Sequence, residues 1–326
     1  MFGVHLRKPN PDAPGGGAHG RRQKIGIALG AGAARGWAHI GALAELSAMG
    51  VAPDIIVGSS VGAVVGGCFA AGKLDALDAF ARSLTKRRVL GLLDVSLGGG
   101  GLIGGGRLRA RLEESIGDCN IEDLPIQFAG VATELRSGHE IWLRRGSLVD
   151  AIRASYALPG VFEPVCIDGH WLIDGAIVNP VPISVARALG ADQVIALTIA
   201  ADGFGRGVTV PDLPPVEAIE PASSPPASGV VHGLRQRMGL VRRQLAHTGG
   251  AAPSLAAVMV DAFNITQDRI MRSRLAGDPA DVMVTLRVGK IGLFEFHRAD
   301  ELIALGRDAV RKASAEILDV FALQKA

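Results

Sequence analysis

The hydrophobic and polar positions of this chain follow two alternating patterns, and each pattern predicts one kind of element. Short apolar runs rich in Ile, Val and Leu, bounded by Gly, Pro or charged residues, predict buried strands. Longer stretches with apolar residues every three to four positions predict helices that pack on one side. The predicted strands are Lys24–Leu29, Asp54–Gly58, Gln127–Leu135, His139–Leu143, Trp171–Ile173, Gln193–Ile199 and Val282–Leu286. The predicted helices are Trp37–Ala48, Val61–Ala71, Leu74–Thr85, Ser147–Tyr156, Ser254–Leu275 and a last one from Asp300 onwards.

The order of these elements predicts the fold class. Strands alternate with helices along most of the chain, which is typical of an α/β fold with a largely parallel sheet. Gly and Ala are abundant and aromatic residues are scarce at 4%, which favours close packing of helices on that sheet. The last helix offers one apolar stripe to the core, formed by Ile303, Val310, Ile317 and Phe321.

The distribution of Gly and Pro predicts the domain organisation. Residues 1–23 contain no apolar core long enough for a signal peptide, so we expect a disordered leader. Residues 24–326 are expected to form one domain. A flexible insertion interrupts it at about 203–252, because six prolines there are followed by a basic stretch. Ser96–Gly106 (SLGGGGLIGGG) is too rich in Gly for a regular element, so we expect a mobile loop.

Composition and charge narrow the class of protein. The 326 residues are 48% hydrophobic and 20% charged, which is typical of a globular protein with a buried core. The net charge of +2 gives no signature of nucleic-acid binding, and no nucleic-acid partner is expected. Three cysteines without a CxxC pair predict neither disulfides nor a zinc site, and fit a reduced, cytoplasmic protein.

One uncharged run, Ile55–Gly72, has the length and GxxxG spacing of a membrane span. Its five glycines lower its hydrophobicity, and the Ile-Ile-Val that precedes Gly58 prefers extended backbone. We therefore interpret the run as a strand, a sharp turn and a short helix.

The sequence Gly58-Ser59-Ser60-Val61-Gly62 matches G-x-S-x-G at this turn. This spacing is typical of a strained strand-to-helix turn that exposes the central Ser. The turn is tight, so the residues on either side of it must be small. The amides that follow lie at a helix N-terminus, where they stabilise an anion. Ser60 is therefore the candidate nucleophile, with Gly58 and Gly62 as the small flanking residues. The alternative is a turn of small residues that only packs a helix on a sheet.

A second glycine-rich turn, Gly30–Gly36 (GAGAARG), also connects a strand to a helix. Its backbone amides can converge on the oxyanion of an acyl-transfer reaction. A dinucleotide-binding loop would need Gly in place of Arg35 and an acid at the end of the second strand, but Asp54 stands at its beginning. A Walker loop at Gly67–Lys73 lacks the required Ser or Thr. We therefore interpret the turn as an oxyanion loop.

The base that would activate Ser60 is an acid or a histidine. Asp174 ends a short apolar strand in HWLIDGAIVNPVP, and the following Gly175 permits a tight backbone. A buried carboxylate with a raised pKa can accept the proton of a serine directly, although most Asp-Gly pairs are ordinary turns. A conventional triad would instead need a late histidine. The candidates are His139, His170, His232, His247 and His297, none with a distinctive setting.

Four blocks of sequence, in order, resemble those of the patatin-like phospholipases. They are the glycine-rich turn with Arg35, GSSVG, Ala154–Pro159 (ASYALP) and Asp174-Gly175-Ala176. The run RGWAHIGAL is most similar to the bacterial branch of that family. The resemblance implies a three-layer α/β/α fold with a largely parallel sheet, a lipid ester substrate, and no metal or organic cofactor.

The resemblance also implies the roles of individual residues. Ser60 and Asp174 would form a catalytic dyad. The implied oxyanion loop comprises Gly30, Gly32, Ala33, Arg35 and Gly36. This chain departs from the family pattern at Ala31, Ala33 and Ala176, but backbone amides survive such changes.

Other residues and other functions stay open at this point. His39 follows the oxyanion loop near a helix N-terminus, so we expect it to be neutral and structural. Arg35 either binds a phosphate head group or fixes its own loop. The basic amphipathic stretch 229–246 suits contact with an anionic membrane at its inner face. The alternatives are a helix docked on the domain, or a disordered linker broken by Gly233 and Gly239. The alternative functions are a regulatory protein of the same fold with little hydrolysis, and a Ser-His-Asp esterase.

Overall fold

The computed structural model describes residues 22–92, 101–103, 105–200, 255–289 and 291–325. Its strands are β1 (Ile25–Leu29), β2 (Ile55–Ser59), β3 (Gly101–Ile103), β4 (Gln127–Glu134), β5 (Glu140–Leu143), β6 (Gly160–Phe162), β7 (Val165–Ile167), β8 (His170–Asp174), β9 (Gln193–Ala200) and β10 (Val282–Arg287). Its helices are α1 (Ala38–Ala48), α2 (Val61–Ala70), α3 (Leu74–Ser83), α4 (Lys86–Leu92), α5 (Gly106–Ile116), α6 (Leu148–Ser155), α7 (Ile183–Ala188), α8 (Leu255–Gly277), α9 (Ala299–Lys312) and α10 (Ser314–Lys325).

The central sheet has the strand order β10-β9-β1-β2-β4-β8-β7, and β5 also pairs with β4. Five adjacent strands, β10, β9, β1, β2 and β4, run parallel to one another, whereas β5 and β8 pair antiparallel with β4. Strand β7 forms an antiparallel pair with β8. The largely parallel sheet expected from the alternation of strands and helices is confirmed.

Helices cover both faces of this sheet. Along β1, Ile25, Ile27 and Leu29 belong to one buried core and Ala28 to another. Because successive side chains of a strand point to opposite faces, the two cores lie on opposite sides of the sheet. Helices α1, α2, α6 and α9 contribute to the first core, and α7 and α8 to the second. The predicted three-layer α/β/α fold is therefore confirmed.

Two predicted elements differ from the structure. Within the segment expected to be a mobile loop, Gly101–Ile103 form β3, which pairs in parallel with β6. Pairing with a second strand satisfies backbone groups without help from side chains, and the composition of a segment does not reveal it. The single helix expected at the end of the chain is two helices, because α9 ends at Lys312 and α10 begins at Ser314.

Some sequence-based expectations lie outside the described residues. These are the leader up to residue 21, the insertion at 203–252 and its basic stretch 229–246. The run Ile55–Gly72 is divided between β2 and α2, as predicted. Across the described part of the chain, no helix combines the length and the apolar character needed to cross a bilayer.

Candidate active site

Strand β4 brings the ends of two other strands together. Ser59, the last residue of β2, pairs with Val131, and Asp174, the last residue of β8, pairs with Ala132. Because Val131 and Ala132 are consecutive, the residue after β2 lies beside the end of β8. That residue is Ser60, whose Oγ donates a hydrogen bond of 2.7 Å to Asp174 Oδ2. The structure thus brings together the two side chains singled out in the sequence.

Ser60 lies in a strained turn between β2 and α2. Its φ of 56° and ψ of −124° are uncommon for a residue with a Cβ. The turn is tight because a Cβ on Gly58 would lie 2.3 Å from the carbonyl carbon of Gly62. A Cβ on Gly62 would lie 2.2 Å from the carbonyl oxygen of Leu29. Both flanking glycines are therefore required by backbone contact.

This geometry predicts a large effect of Gly58→Ala on folding. The added Cβ would overlap backbone atoms, which cannot rotate away, so we expect the free energy of unfolding to fall by about 3 kcal/mol or more. Urea unfolding followed by circular dichroism measures the change. The matched control is Gly91→Ala, where a Cβ would meet no atom within 4 Å. A Gly58→Ala protein as stable as the control would contradict the close contact.

The carboxyl group of Asp174 is enclosed, with 2% of the residue exposed. Its Oδ1 accepts a hydrogen bond from the Ala176 N–H at 2.8 Å, while Oδ2 accepts the Ser60 hydroxyl. Burial raises the pKa of Asp174 to about 7, and the two hydrogen bonds act in the opposite direction. Above that pH the ionised carboxylate is a much stronger base than an exposed aspartate, because the ordinary pKa of an aspartate is about 3.9.

The backbone around Asp174 is fixed by its neighbours. The Asp174 N–H donates to the Ala157 carbonyl at 3.0 Å. The Asp174 carbonyl accepts a hydrogen bond from Thr133 Oγ1 at 2.9 Å. A Cβ on Gly175 would lie 2.1 Å from the carbonyl oxygen of Val131. The tight backbone expected at Gly175 is therefore present, and its cause is the close approach of β4.

The loop between β1 and α1 presents two amides without partners. Four other amides of the loop do have partners. The Gly30 N–H donates to the Leu197 carbonyl and the Ala31 N–H to that of Pro180. The Ala34 N–H donates to the Leu293 carbonyl and the Arg35 N–H to that of Gly32. Among the described residues, the N–H groups of Gly32 and Ala33 have no hydrogen-bond partner. Ala33 has a φ of 49°, and turns of this kind expose successive amides to an anion.

This loop packs directly against the turn that carries the serine. A Cβ on Gly36 would lie 2.1 Å from Val61 Cγ1, and one on Gly62 would lie 2.9 Å from the carbonyl oxygen of Gly30. The loop and the turn also follow the carboxyl ends of the adjacent parallel strands β1 and β2. The free amides of the loop and the Ser60 hydroxyl therefore lie at the same end of the sheet.

Arg35 is enclosed in the loop, with 9% of the residue exposed. Its Nε has no hydrogen-bond partner among the described residues, and its guanidinium forms no ion pair with them. Burial lowers the pKa of Arg35, but an arginine in a protein stays charged. A buried cation without a counter-ion is costly, so the site favours an anionic group.

His39 supports the loop. Its Nε2–H donates to the Gly30 carbonyl at 2.8 Å, and burial lowers its pKa to about 4. The imidazole is therefore neutral and structural near pH 7, as expected. No histidine in the described residues hydrogen-bonds to Ser60 or Asp174. His232 and His247 lie outside those residues.

Sequence reasoning gave no role to Ser155, the last residue of α6. Its hydroxyl accepts a hydrogen bond from the Ser60 N–H at 2.9 Å and donates one of 2.6 Å to the Val131 carbonyl. The only signal in the sequence was its place in the block ASYALP. No local pattern indicates that this hydroxyl reaches the serine turn.

Comparison with known proteins shows relatives over nearly the whole chain. Residues 27–187 match the patatin-like phospholipase family. An NTE family protein of Mycobacterium tuberculosis (strain H37Rv) is 34% identical over 330 residues, covering 89% of this chain and 91% of that protein. A second NTE family protein of the same strain is 32% identical over 313 residues, covering 93% of this chain and 49% of that protein.

Two further similarities either cover less of the chain or have lower sequence identity. The neuropathy target esterase of Drosophila melanogaster is 33% identical over 181 residues, which cover 54% of this chain and 13% of that protein. The crystal structure of VipD from Legionella pneumophila superposes with a TM-score of 0.44 at 12% identity, over 90% of this chain and 66% of that chain. On the evidence of the family match and the nearly full-length bacterial relatives, the chain belongs to the patatin-like phospholipase family.

Proposed function

We propose that this lipid hydrolase cleaves carboxylic esters of lipids with Ser60 as nucleophile and Asp174 as its base. The observation that carries the proposal is the 2.7 Å hydrogen bond from Ser60 Oγ to Asp174 Oδ2 in a buried setting. A serine hydroxyl is a weak nucleophile until a base accepts its proton. Asp174 is positioned to accept that proton without an intervening histidine.

In the first step, Ser60 Oγ attacks the acyl carbonyl while its proton moves to Asp174. The carbonyl oxygen becomes an oxyanion, and the free N–H groups of Gly32 and Ala33 are its proposed donors. Donors held in place before the reaction stabilise the developing charge without reorganisation. The same proton then passes from Asp174 to the alcohol that leaves, and the acyl group remains on Ser60.

In the second step, water cleaves the acyl-enzyme. Asp174 accepts a proton from the water, whose oxygen attacks the acyl carbonyl in the same oxyanion loop. Collapse of this intermediate breaks the ester bond to Ser60, and the proton held by Asp174 returns to Ser60 Oγ. The products are a fatty acid and an alcohol, and neither a metal nor an organic cofactor takes part in these steps.

The proposed substrates are lipid esters, with glycerophospholipids and lysophospholipids as the first candidates. The environment of Arg35 favours binding of an anionic substrate, because its buried guanidinium has no counter-ion among the described residues. A phosphate in the head group would supply that charge. Simple fatty esters, which carry no phosphate, are the alternative substrates.

The test of this proposal is covalent labelling with a fluorophosphonate probe, followed by identification of the modified peptide. Reaction at Ser60, together with release of fatty acid from phosphatidylcholine or lysophosphatidylcholine, is the expected result. An intact, folded protein that neither reacts with the probe nor releases fatty acid would favour the regulatory alternative. A labelled protein that requires one histidine would favour the Ser-His-Asp esterase.

The pKa of Asp174 predicts how the rate depends on pH. A protonated Asp174 cannot accept the proton of Ser60, so the labelling rate should be low in acid and rise as the pH increases through about 7. The measurement is the second-order rate constant of probe labelling from mildly acidic to mildly alkaline pH. A rate that does not change over this range would contradict a carboxylate base with a raised pKa.

A further inference from the structure

The end of α6 and the two residues after it contact both members of the proposed dyad. Ser155 is fully buried, and its Oγ accepts the Ser60 N–H at 2.9 Å while it donates to the Val131 carbonyl at 2.6 Å. Two residues later, the Ala157 carbonyl accepts the Asp174 N–H at 3.0 Å. One three-residue segment therefore holds the backbone of both Ser60 and Asp174.

We propose that Ser155 is a positioning residue that sets the distance between the nucleophile and its base. This inference rests on the proposed function, because it concerns how Ser60 meets Asp174. We call Ser155–Ala157 the backbone clamp. Its serine end holds Ser60, and its alanine end holds Asp174.

The strain of the turn explains why Ser60 needs this support. A residue with a Cβ and a φ of 56° tends to relax towards negative φ. Such a relaxation would rotate Cα and Cβ of Ser60 and move Oγ relative to Asp174. The hydrogen bond from the Ser60 N–H to Ser155 opposes the rotation, and the bond from Ser155 to Val131 anchors the clamp to the sheet.

The clamp also provides the hydrogen-bond partner of the Ser60 amide. An N–H group that already donates to a hydroxyl is not free to stabilise an oxyanion. The proposed oxyanion must therefore be stabilised by amides other than that of Ser60. This favours the N–H groups of Gly32 and Ala33 as the donors. Removing the Ser155 hydroxyl would leave a buried N–H without a partner, and unpaired buried donors are costly.

The test compares Ser155→Ala with the wild-type protein, using p-nitrophenyl butyrate as substrate and a fluorophosphonate as probe. We expect kcat and the labelling rate to fall together by about 10-fold to 100-fold, since small displacements of reacting groups have effects of this size. KM should stay within about twofold, because Ser155 does not touch the substrate. Ser155→Thr, which keeps the hydroxyl, should recover much of the lost rate.

The pH profile separates positioning from a general loss of structure. The hydrogen bond from Ser60 lowers the pKa of Asp174. If loss of the clamp weakens that bond, the pKa of Asp174 rises, and the midpoint of the labelling rate moves to higher pH. Partial unfolding would instead reduce the rate at every pH and leave the midpoint unchanged.

The control is Ser47→Ala at an exposed position, which also removes a hydroxyl that donates to a backbone carbonyl, that of Leu43 at 2.9 Å. It should leave kcat and the pH midpoint unchanged. An active wild type with an equally active Ser155→Ala variant would overturn the clamp and leave the proposed function standing. A slower Ser155→Ala variant with an unshifted midpoint would also overturn it. A wild type that neither hydrolyses esters nor reacts with the probe would overturn both proposals.

Discussion

Replacing Ser60 with alanine is expected to abolish ester hydrolysis and probe labelling while the fold is retained. The loss in kcat should be at least about 10,000-fold, since removal of a nucleophile leaves only the contribution of substrate binding and the oxyanion loop. Alanine keeps the Cβ and the backbone amide, so the hydrogen bond from residue 60 to Ser155 can still form. Circular dichroism and thermal unfolding verify the fold, and hydrolysis of p-nitrophenyl esters measures the loss.

The neighbouring serine provides the control. Ser59 is fully buried, and its hydroxyl has no hydrogen-bond partner in the described part of the chain. Ser59→Ala should therefore keep most of the activity and react with the probe. A Ser60→Ala variant with turnover close to that of Ser59→Ala would disprove the assignment of the nucleophile.

Asp174→Asn is expected to lower kcat by about 1,000-fold or more, because an amide cannot accept the proton of Ser60. The side-chain oxygen of asparagine can still accept the Ala176 N–H, so the local structure should persist. Steady-state hydrolysis at mildly alkaline pH measures the effect. His297→Gln serves as the control and should retain nearly full activity, whereas a comparable loss in that variant would indicate a triad.

The same substitution should stabilise the fold at alkaline pH. Folding raises the pKa of Asp174 to about 7, whereas the unfolded chain has an ordinary carboxyl pKa. Above about pH 7 the folded wild type therefore bears a buried charge, which lowers its stability relative to the variant with a neutral amide at this position. The free energy of unfolding of Asp174→Asn should exceed that of the wild type by on the order of a few kcal/mol above about pH 7, and this difference should disappear below about pH 4. Thermal unfolding of both proteins at alkaline and acidic pH tests this.

The serine turn could be predicted from the sequence because its determinants are local. Gly58, Ser60 and Gly62 are close together along the chain, and the strand before them and the helix after them have clear apolar patterns. The apolar stripe of the last helices was equally visible, and Ile303, Val310 and Ile317 are all buried. Local periodicity is enough to identify such elements, because each one must bury a single face.

The meeting of Ser60 with Asp174 could not be derived from local pattern. It depends on β8 pairing antiparallel with β4, in a register that places Asp174 opposite Ala132. Strand neighbours and register are set by contacts between distant parts of the chain, which periodicity does not encode. Resemblance to a family supplied this pairing in advance. Helix α5 was missed although Leu108, Leu112 and Ile116 recur at intervals of four residues, because it directly follows the glycine-rich segment that was interpreted as a loop.

The proposed oxyanion loop is anchored by residues from distant parts of the sequence. The Gly30 amide is held by Leu197 in β9, and the Ala34 amide by Leu293, so the loop is tied to segments far along the chain. A chain that has formed the serine turn and docked β8 still has an untied loop until β9 and the segment around Leu293 are in place. Under the proposed mechanism, activity should therefore return during refolding only after both segments have docked. For the same reason, if the loop amides act as proposed, a local opening around Leu293 should lower activity while Ser60 and Asp174 stay hydrogen-bonded.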